Sequence, residues 1–211
     1  MKTCVIFCAA DFDRLEEPIG NEDVVIAADG GYRYMEPLGL TPHAVLGDFD
    51  SLGYVPEGAE IFPVQKDDTD AMLAVIQGLR MGCRRFILYG SLDGPRLDHT
   101  VANFQTLQYL CDHGAFGYLV GKDYLITVLK EGALKFPETA RGTISLFCSG
   151  AHAEGVNLQG LYYSLENGIL GPGFPLGVSN HFTGKSAAEI SVEQGSLLIM
   201  WDRKVGLPER T

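Results

Sequence analysis

Residues 23–51 read DVVIAADGGYRYMEPLGLTPHAVLGDFDS and contain two short apolar runs, each followed at once by aspartate. The first run ends before Asp29-Gly30-Gly31, and the second, residues 44–47, ends before Asp48-Phe49-Asp50-Ser51. Continuous apolar runs of this length predict strands that are buried on both faces, as in a parallel sheet. The segment therefore predicts an α/β fold with acidic residues at the strand ends.

The first 121 residues continue this alternation of strands and helices. Further strands are predicted at residues 3–9, 59–64, 85–90 and 116–120. One helix is predicted from helical spacing of the apolar residues Met72, Val75, Ile76 and Leu79, with Asp68 or Thr69 as its cap. A second is predicted from Leu97, Val101, Phe104, Leu107 and Cys111. The pattern predicts a mostly parallel sheet covered by helices.

The pattern of apolar and turn-forming residues changes after about Gly121. Apolar runs at residues 124–129, 143–148 and 197–201 are separated by turns rich in Gly, Pro and Asn, without a helical period between them. We therefore expect two domains, an α/β domain at residues 1–121 and an all-β domain at residues 122–211. Trp201 is expected in the core of the second domain.

Composition and charge exclude several classes of function. The chain has 211 residues, with 16 Lys and Arg against 27 Asp and Glu, giving a net charge of −11. This balance, without a basic cluster, argues against binding to nucleic acid or to anionic membranes. Five cysteines without a close pair suit a reducing, cytoplasmic compartment and predict buried thiols at Cys4 and Cys8. The scattered histidines give no support for zinc.

The acidic residues after the predicted strands indicate a metal site. In an open parallel sheet, segments that follow the strands converge on one edge, where such folds bind ligands. Asp48 and Asp50, roughly 6–7 Å apart along an extended backbone, would point to one side. If Asp67, Asp68 or Asp70 approaches them, the mutual repulsion of the carboxylates favours a hard divalent cation such as Mg²⁺. The alternative is that these residues only cap a helix and form a turn.

Glycine turns and one arginine indicate a phosphate ligand at the same edge. Gly30 and Gly90 lie at strand-to-helix turns, where backbone N–H groups can approach a phosphate. Arg96 begins the helix that carries Asp98, His99 and Asn103, and its guanidinium can hold a polyphosphate. The alternatives are an ordinary ion pair for Arg96 and a structural role for His99. A polyphosphate bridged by metal is the arrangement used for phosphoryl or pyrophosphoryl transfer.

Five motifs together resemble the thiamine pyrophosphokinase family. They are ADGG at residues 28–31, GDFDS at 47–51, KDDTD at 66–70, RLDH at 96–99 with Asn103 beyond, and GVSN at 177–180. The resemblance runs along essentially the whole chain in the same order. It implies an N-terminal nucleotide-binding catalytic domain and a C-terminal thiamine-binding β-sandwich. It also implies Mg²⁺-dependent transfer of pyrophosphate from ATP to thiamine, and a homodimer with active sites formed across the two subunits.

The resemblance implies a role for each matching residue. Asp48, Asp50 and Asp70 would be the acids associated with magnesium, and Arg96 and Asp98 would lie near the phosphates and the transferred group. Residues expected beside the nucleotide are Asp29, Gly30, Lys66, Thr69 and Asn103. Residues expected beside thiamine are Ser179 and Asn180, which would hydrogen-bond the pyrimidine, and Tyr163, an aromatic platform.

The sequence departs from some relatives in two places. The run before the arginine is glycine-rich in those relatives, whereas here it reads Leu92-Asp93-Gly94-Pro95-Arg96, which predicts a stiffer loop. The aromatic residue that stacks on thiamine is tryptophan in some relatives, whereas the matching position here is Tyr163.

Two other functions remain open from the residues alone. The same acids could activate water in a magnesium-dependent hydrolase of nucleotides or phosphate esters. The chain could also be a thiamine- or nucleotide-binding module without catalysis. Asp70 and Asp98 are both candidates for a general base, although a loose transition state needs no strong base.

Overall fold

The structure is a computed structural model, and it describes residues 1–49, 52–61 and 68–211. The chain forms two compact units, Met1–Lys122 and Asp123–Thr211. The described residues do not include Asp50, Ser51 or residues 62–67. Two predicted site residues, Asp50 and Lys66, therefore lie outside them, as does the end of the predicted strand 59–64. None of the helices in the described part of the chain is long and apolar enough to cross a bilayer.

The first unit contains the predicted alternation of strands and helices. Its strands are β1 (Thr3–Phe7), β2 (Val24–Ala28), β3 (Ala44–Gly47), β4 (Glu60–Ile61), β5 (Arg85–Tyr89) and β6 (Phe116–Val120). Its α-helices are α1 (Met35–Leu38), α2 (Asp70–Arg80) and α3 (Leu97–Asp112), and a 3₁₀ helix covers Asp29–Tyr34. The strand order is β6-β5-β1-β2-β3-β4, and neighbouring strands pair in parallel. The α/β prediction is confirmed.

The strands of this sheet are apolar because both faces are covered. All five residues of β1 and all five of β2 are buried. Helix α2 packs against the sheet through Ala71, Ala74, Val75 and Gly78, and Thr69 caps it by accepting a hydrogen bond from the Met72 N–H at 3.2 Å. Thr69 rather than Asp68 is therefore the cap, which settles the two alternatives from the sequence.

The helix predicted from the spacing of apolar residues 97–111 is confirmed as α3, although only part of that apolar set is buried. Of the apolar residues that predicted it, Leu97 and Val101 are 75% and 50% exposed, whereas Leu107 is 1% exposed. The buried residues of α3 are Asn103, Thr106, Leu107 and Leu110. The buried side of the helix includes an amide and a hydroxyl that form hydrogen bonds, so the spacing of apolar residues alone does not identify it.

The second unit is antiparallel, as predicted. Its strands are β7 (Tyr124–Phe136), β8 (Gly142–Gln159), β9 (Leu165–Leu170), β10 (Gly177–Phe182), β11 (Ala188–Asp202) and β12 (Glu209–Arg210). The order is β10-β8-β11-β7, with β9 paired to β8 and β12 paired to β7. The three predicted runs lie inside β7, β8 and β11, which extend beyond them and shift register at irregular positions.

The sheet of the second unit folds over on itself to form a sandwich. Along β11, Ala188 pairs with Phe136 and Trp201 pairs with Leu125. Thirteen residues of straight strand would separate Ala188 from Trp201 by roughly 40 Å. The rings of Phe136 and Trp201 are nevertheless 5.3 Å apart between centroids. The two ends of the long strands therefore face each other across a core, in which Trp201 is fully buried.

Candidate active site

A pocket of about 340 Å³ lies at the carboxyl ends of β1 and β5. From β1 the chain continues toward β2, whereas from β5 it continues toward β6 on the opposite side. Ligands of open α/β sheets bind at such a reversal of strand order. The volume is at the lower end of the range for small-molecule sites. The pocket is lined by residues 8–10, 28–29, 69–71, 90–91, 94–96, 99, 100 and 103.

Three carboxylates from separate segments meet beside this pocket. Asp29 directly follows β2, Asp48 directly follows β3, and Asp70 is the first residue of α2. One ligand oxygen from each lies within 4.8 Å of the others, and all three residues are half-buried. Asp48 and Asp70 were predicted to meet, whereas Asp29 was expected only beside the nucleotide. We refer to Asp29, Asp48 and Asp70 as the acidic triad.

Local backbone geometry places the triad. Asp29 has a φ of +47°, in the left-handed region that aspartate tolerates better than most residues. Gly47 has a φ of +154°, and a Cβ at this position would lie 2.9 Å from Cα of Asp29. A larger residue at the end of β3 would therefore push the two aspartates apart. The Thr69 cap fixes the start of α2 and with it Asp70.

The donor atoms of the triad suit magnesium. Hard divalent cations such as Mg²⁺ prefer carboxylate oxygens, which are the ligand atoms that the three residues supply. Cys8 also lines the pocket, but burial, together with the charges of Asp70 and Asp29, raises its pKa to about 12. Its thiol therefore stays protonated at neutral pH.

Arg96 and Asp98 form an exposed ion pair beside the pocket. Arg96, which lines the pocket, donates from Nε and Nη2 to the two carboxylate oxygens of Asp98, at 2.9 and 2.6 Å. This pairing lowers the pKa of Asp98 to about 2 and raises that of Arg96. Asp98 itself is not among the residues that line the pocket. The ion pair that the sequence allowed for Arg96 is therefore present. The N–H donors of Arg96 that do not contact Asp98 can still bind a phosphate.

Asn103 holds the wall of the pocket from behind. It is 6% exposed, and its Nδ2 donates to the backbone oxygen of Ser91 at 2.7 Å. Ser91 is also buried and donates from Oγ to the oxygen of Leu88 at 2.8 Å. Asn103 was predicted beside the nucleotide, and it lines the pocket while also supporting the loop after β5.

The remaining predicted residues of the first unit occupy different places. Thr69 lines the pocket, as does His99. Gly30 is buried within the 3₁₀ helix and is not among the pocket residues.

The three residues predicted for thiamine lie close together in the second unit. Tyr163 and Asn180 both line a smaller pocket of about 110 Å³, whose other walls are mainly apolar. The Asn180 side chain accepts from the Tyr163 N–H at 3.0 Å and donates to the Tyr163 oxygen at 2.7 Å. Ser179 has a φ of +59°, and its N–H donates to Oγ of Ser145 at 3.0 Å. The Tyr163 residue is 61% exposed.

Two family models match the chain, one in each unit. The catalytic domain of thiamin pyrophosphokinase matches residues 15–115, and its vitamin B1 binding domain matches residues 132–197. Together the two matches cover well over half of the sequence. The chain belongs to the thiamin pyrophosphokinase family. The activity of this family, transfer of pyrophosphate from ATP to thiamine, is the activity expected from the sequence motifs.

Solved structures of thiamin pyrophosphokinases share the fold along nearly the whole chain. The enzyme from Bacillus subtilis is 20% identical, with a TM-score of 0.80, and the alignment covers 96% of this chain and 99% of that one. A family protein from Enterococcus faecalis is 21% identical, with a TM-score of 0.76 and coverage of 96% and 99%. The enzyme from Candida albicans is 14% identical, with a TM-score of 0.72 and coverage of 95% and 88%. No curated protein sequence matches the chain.

Sequence reasoning missed two features of this thiamin pyrophosphokinase site. The first is Asp29 as a member of the triad, although it follows its strand in the same way that Asp48 does. The second is Ser91, whose backbone oxygen and hydroxyl fix the loop after β5. The position of Asp29 after a buried strand was a usable signal, whereas a single serine in a loop carried none.

Proposed function

We propose that the chain is a thiamine diphosphokinase whose nucleotide site is the pocket at the ends of β1 and β5. The β,γ-pyrophosphoryl group of ATP passes to the hydroxyethyl oxygen of thiamine, which forms a new O–P bond at the β-phosphorus. The bond between that phosphorus and the α,β-bridging oxygen breaks, AMP leaves, and the alcohol proton is released. The observation that carries this proposal is the convergence of the acidic triad on a pocket at the reversal of strand order.

Magnesium is proposed at the acidic triad. There it would neutralise negative charge on the polyphosphate oxygens. A chain of net charge −11 does not attract a polyphosphate over long distances, so this positive charge would come with the metal. Asp29, Asp48 and Asp70 would hold it, and Asp50 stays a proposed fourth acid from the sequence. Because the triad lies on three different segments, its geometry depends on the folded sheet rather than on one flexible loop.

Arg96 is proposed to bind the phosphates, and Asp98 to orient Arg96. With a pKa of about 2, Asp98 is a weak base at neutral pH and is poorly suited to accept the alcohol proton. Its two hydrogen bonds instead fix the plane of the guanidinium at the pocket. Positioning of this kind supplies much of the rate in phosphoryl transfer.

Further contacts to the nucleotide are proposed from the family motifs. Thr69 and Asn103 are proposed beside it because they line the pocket. Gly30 and Lys66 stay proposals from the sequence.

Thiamine is proposed to bind the second unit at Tyr163, Ser179 and Asn180. The exposed ring of Tyr163 offers a face for a planar or cationic heterocycle. The Asn180 amide is engaged with the backbone of Tyr163 in both directions, so Asn180 would also keep that ring in place. A homodimer and a cytoplasmic location are proposed as well, the first from the family resemblance and the second from the five free cysteines.

Product analysis with labelled ATP tests the activity. With thiamine and Mg²⁺ present, we expect AMP and thiamine diphosphate in equal amounts, and no AMP without thiamine. Release of phosphate or pyrophosphate independent of thiamine would identify a hydrolase instead. Binding of both ligands without turnover under saturating Mg²⁺ would identify a binding module.

Variants of the triad test the site. Asp48→Asn and Asp29→Asn each remove one charge at nearly constant shape, and we expect turnover to fall by at least about 100-fold. Glu36→Gln, an exposed acid on α1, is the matched control and should retain full activity. Thermal unfolding should show that all three variants fold. Near-normal turnover in Asp29→Asn would remove Asp29 from the site.

A further inference from the structure

The loop between β5 and α3 forms one wall of the nucleotide pocket. Residues 90, 91 and 94–96 of this loop line the pocket, and Arg96 is at its end. Its position therefore decides where the guanidinium proposed to bind phosphate lies. Leu92 and Asp93, between the lining residues, are not among those that face the pocket.

The beginning of the loop is held from inside the first unit. Ser91 is fixed by its hydrogen bond to the oxygen of Leu88 and by the amide of Asn103. Leu92 is 6% exposed, so the core of the unit also holds this part of the loop. These contacts end at Leu92, and the far end of the loop is held where the backbone oxygen of Arg96 accepts from the Thr100 N–H of α3 at 3.3 Å.

Asp93 supplies an attachment between these two ends. Its Oδ2 accepts a hydrogen bond from the backbone N–H of Lys122 at 2.7 Å, which ties the loop to the segment that follows β6. Asp93 has a φ of +60°, in the left-handed region. The loop therefore turns at Asp93, and the same residue holds the turn in place. Aspartate and asparagine are the residues besides glycine that adopt this conformation most readily.

The partner segment is shaped to receive this carboxylate. A Cβ on Gly121 would lie 2.8 Å from Oδ2 of Asp93 and 3.1 Å from Cδ1 of Leu92. Any side chain at residue 121 would therefore push against the side chains of Asp93 and Leu92. The close approach and the hydrogen bond together make one contact between the loop and the end of β6.

We propose that Asp93 is a positioning residue, which holds the loop so that Arg96 faces the phosphates of the nucleotide. The inference rests on the proposed nucleotide site and extends it to a residue that does not contact ligand. Asp93 acts through its hydrogen bond to Lys122, and its negative charge is not required. Loss of the bond leaves the pocket formed but the loop displaced, so that binding of ATP weakens and binding of thiamine does not.

Three substitutions separate the backbone conformation from the hydrogen bond. Asp93→Ala disfavours the left-handed backbone and removes the acceptor, whereas Asp93→Gly keeps the backbone conformation and removes the acceptor. Asp93→Asn keeps both and removes only the charge. We expect KM for ATP to rise about tenfold in the Ala and Gly variants, with KM for thiamine changed less than about twofold. The Asn variant should match the wild type.

A readout without turnover checks the contact itself. Hydrogen exchange of the Lys122 amide should be slow in the wild type and in Asp93→Asn, and faster in Asp93→Ala and Asp93→Gly. The dissociation constant of Mg-ATP, measured by calorimetry without thiamine, should be the same in the wild type and Asp93→Asn, and higher in Asp93→Ala and Asp93→Gly. Asn167→Ala is the matched control, because Asn167 is an exposed residue with a φ of +48° in the second unit. It should leave both measurements unchanged.

The possible outcomes distinguish this proposal from the proposed function. A wild-type chain without thiamine-dependent AMP formation would contradict the function, while nucleotide binding and amide exchange would still test Asp93. Normal ATP affinity in Asp93→Ala and Asp93→Gly would overturn the positioning role. A failure of Asp93→Asn to restore affinity would show that the charge matters and would overturn the mechanism. A parallel rise of both KM values would indicate general destabilisation and would overturn it too.

Discussion

Charged residues at the candidate site depend on their immediate neighbours for their chemical properties. The Asp98 carboxyl is exposed, and without a partner it would be an ordinary surface acid. The two hydrogen bonds from Arg96 instead lower its pKa to about 2. Cys8 shows the opposite case, because burial beside Asp70 and Asp29 raises its pKa to about 12. The Asp98 carboxyl therefore stays ionised and the Cys8 thiol stays protonated throughout the neutral pH range.

Arg96→Gln tests the origin of the Asp98 pKa. The native pKa is lowered, so the ion pair stabilises the folded chain above the ordinary aspartate pKa, and this stabilisation is lost as the pH falls through about 2. Without the guanidinium, we expect the pKa of Asp98 to rise toward its ordinary value, as measured by NMR titration of the carboxyl carbon. Arg96→Lys keeps the charge without the paired geometry and should give a smaller rise.

An unchanged Asp98 pKa in Arg96→Gln would contradict this assignment. The melting temperature at neutral pH should change little in either variant, because both side chains of the pair are about two-thirds exposed. Turnover, in contrast, should fall in both, since Arg96 is proposed to bind phosphate.

Individual helices and strand ends determine which residues reach the site. The start of α2 was predictable because threonine before an acidic first turn is a common capping pattern. Which face of α3 is buried was not predictable, because the buried side includes Asn103 and leaves Leu97 exposed. The spacing of residues along a helix shows which of them share a face. It does not show which face meets a loop that needs a hydrogen-bond donor.

The Thr69 cap can be tested by two substitutions. Thr69→Ala removes the acceptor for the Met72 N–H, and we expect a loss of about 1 kcal/mol in the free energy of unfolding, or roughly 2–4 °C in melting temperature. Thr69→Ser keeps the hydroxyl and should recover most of the stability. If the serine variant is as unstable as the alanine variant, the hydroxyl does not act as the cap. Turnover should fall in Thr69→Ala, because Asp70 begins the same helix.

At the scale of the whole chain, each unit builds its own core. In the first unit, connections of opposite direction around β1 and β5 create the crevice that becomes the pocket. In the second, three long strands bend so that Phe136 reaches Trp201 and Phe182, with ring centroids 5.3 and 5.0 Å apart. The sandwich therefore depends on contacts between residues at opposite ends of the paired strands β7 and β11.

Phe136→Ala tests this account of the sandwich. Phe136 is 1% exposed, and its removal should lower the free energy of unfolding by about 3–5 kcal/mol. Trp201 is the sole tryptophan, so its fluorescence during urea unfolding reports on this core. Phe174→Ala, which truncates a residue 71% exposed in the same unit, should leave the transition in place. Equal transitions for the two variants would contradict the folded-over sheet.

The sequence by itself determined the parallel α/β unit, the antiparallel unit after it, the start of a helix near Asp68 or Thr69 and the family motifs. These features depend on local patterns: strand-length apolar runs, helical spacing and short runs of acids and glycines. Only the tertiary structure decided that Asp29 joins Asp48 and Asp70, that Asn103 supports Ser91 and that Asp93 reaches Lys122. Each of these contacts joins segments that are distant along the chain, and their distances follow from how strands and helices pack, which no local pattern contains.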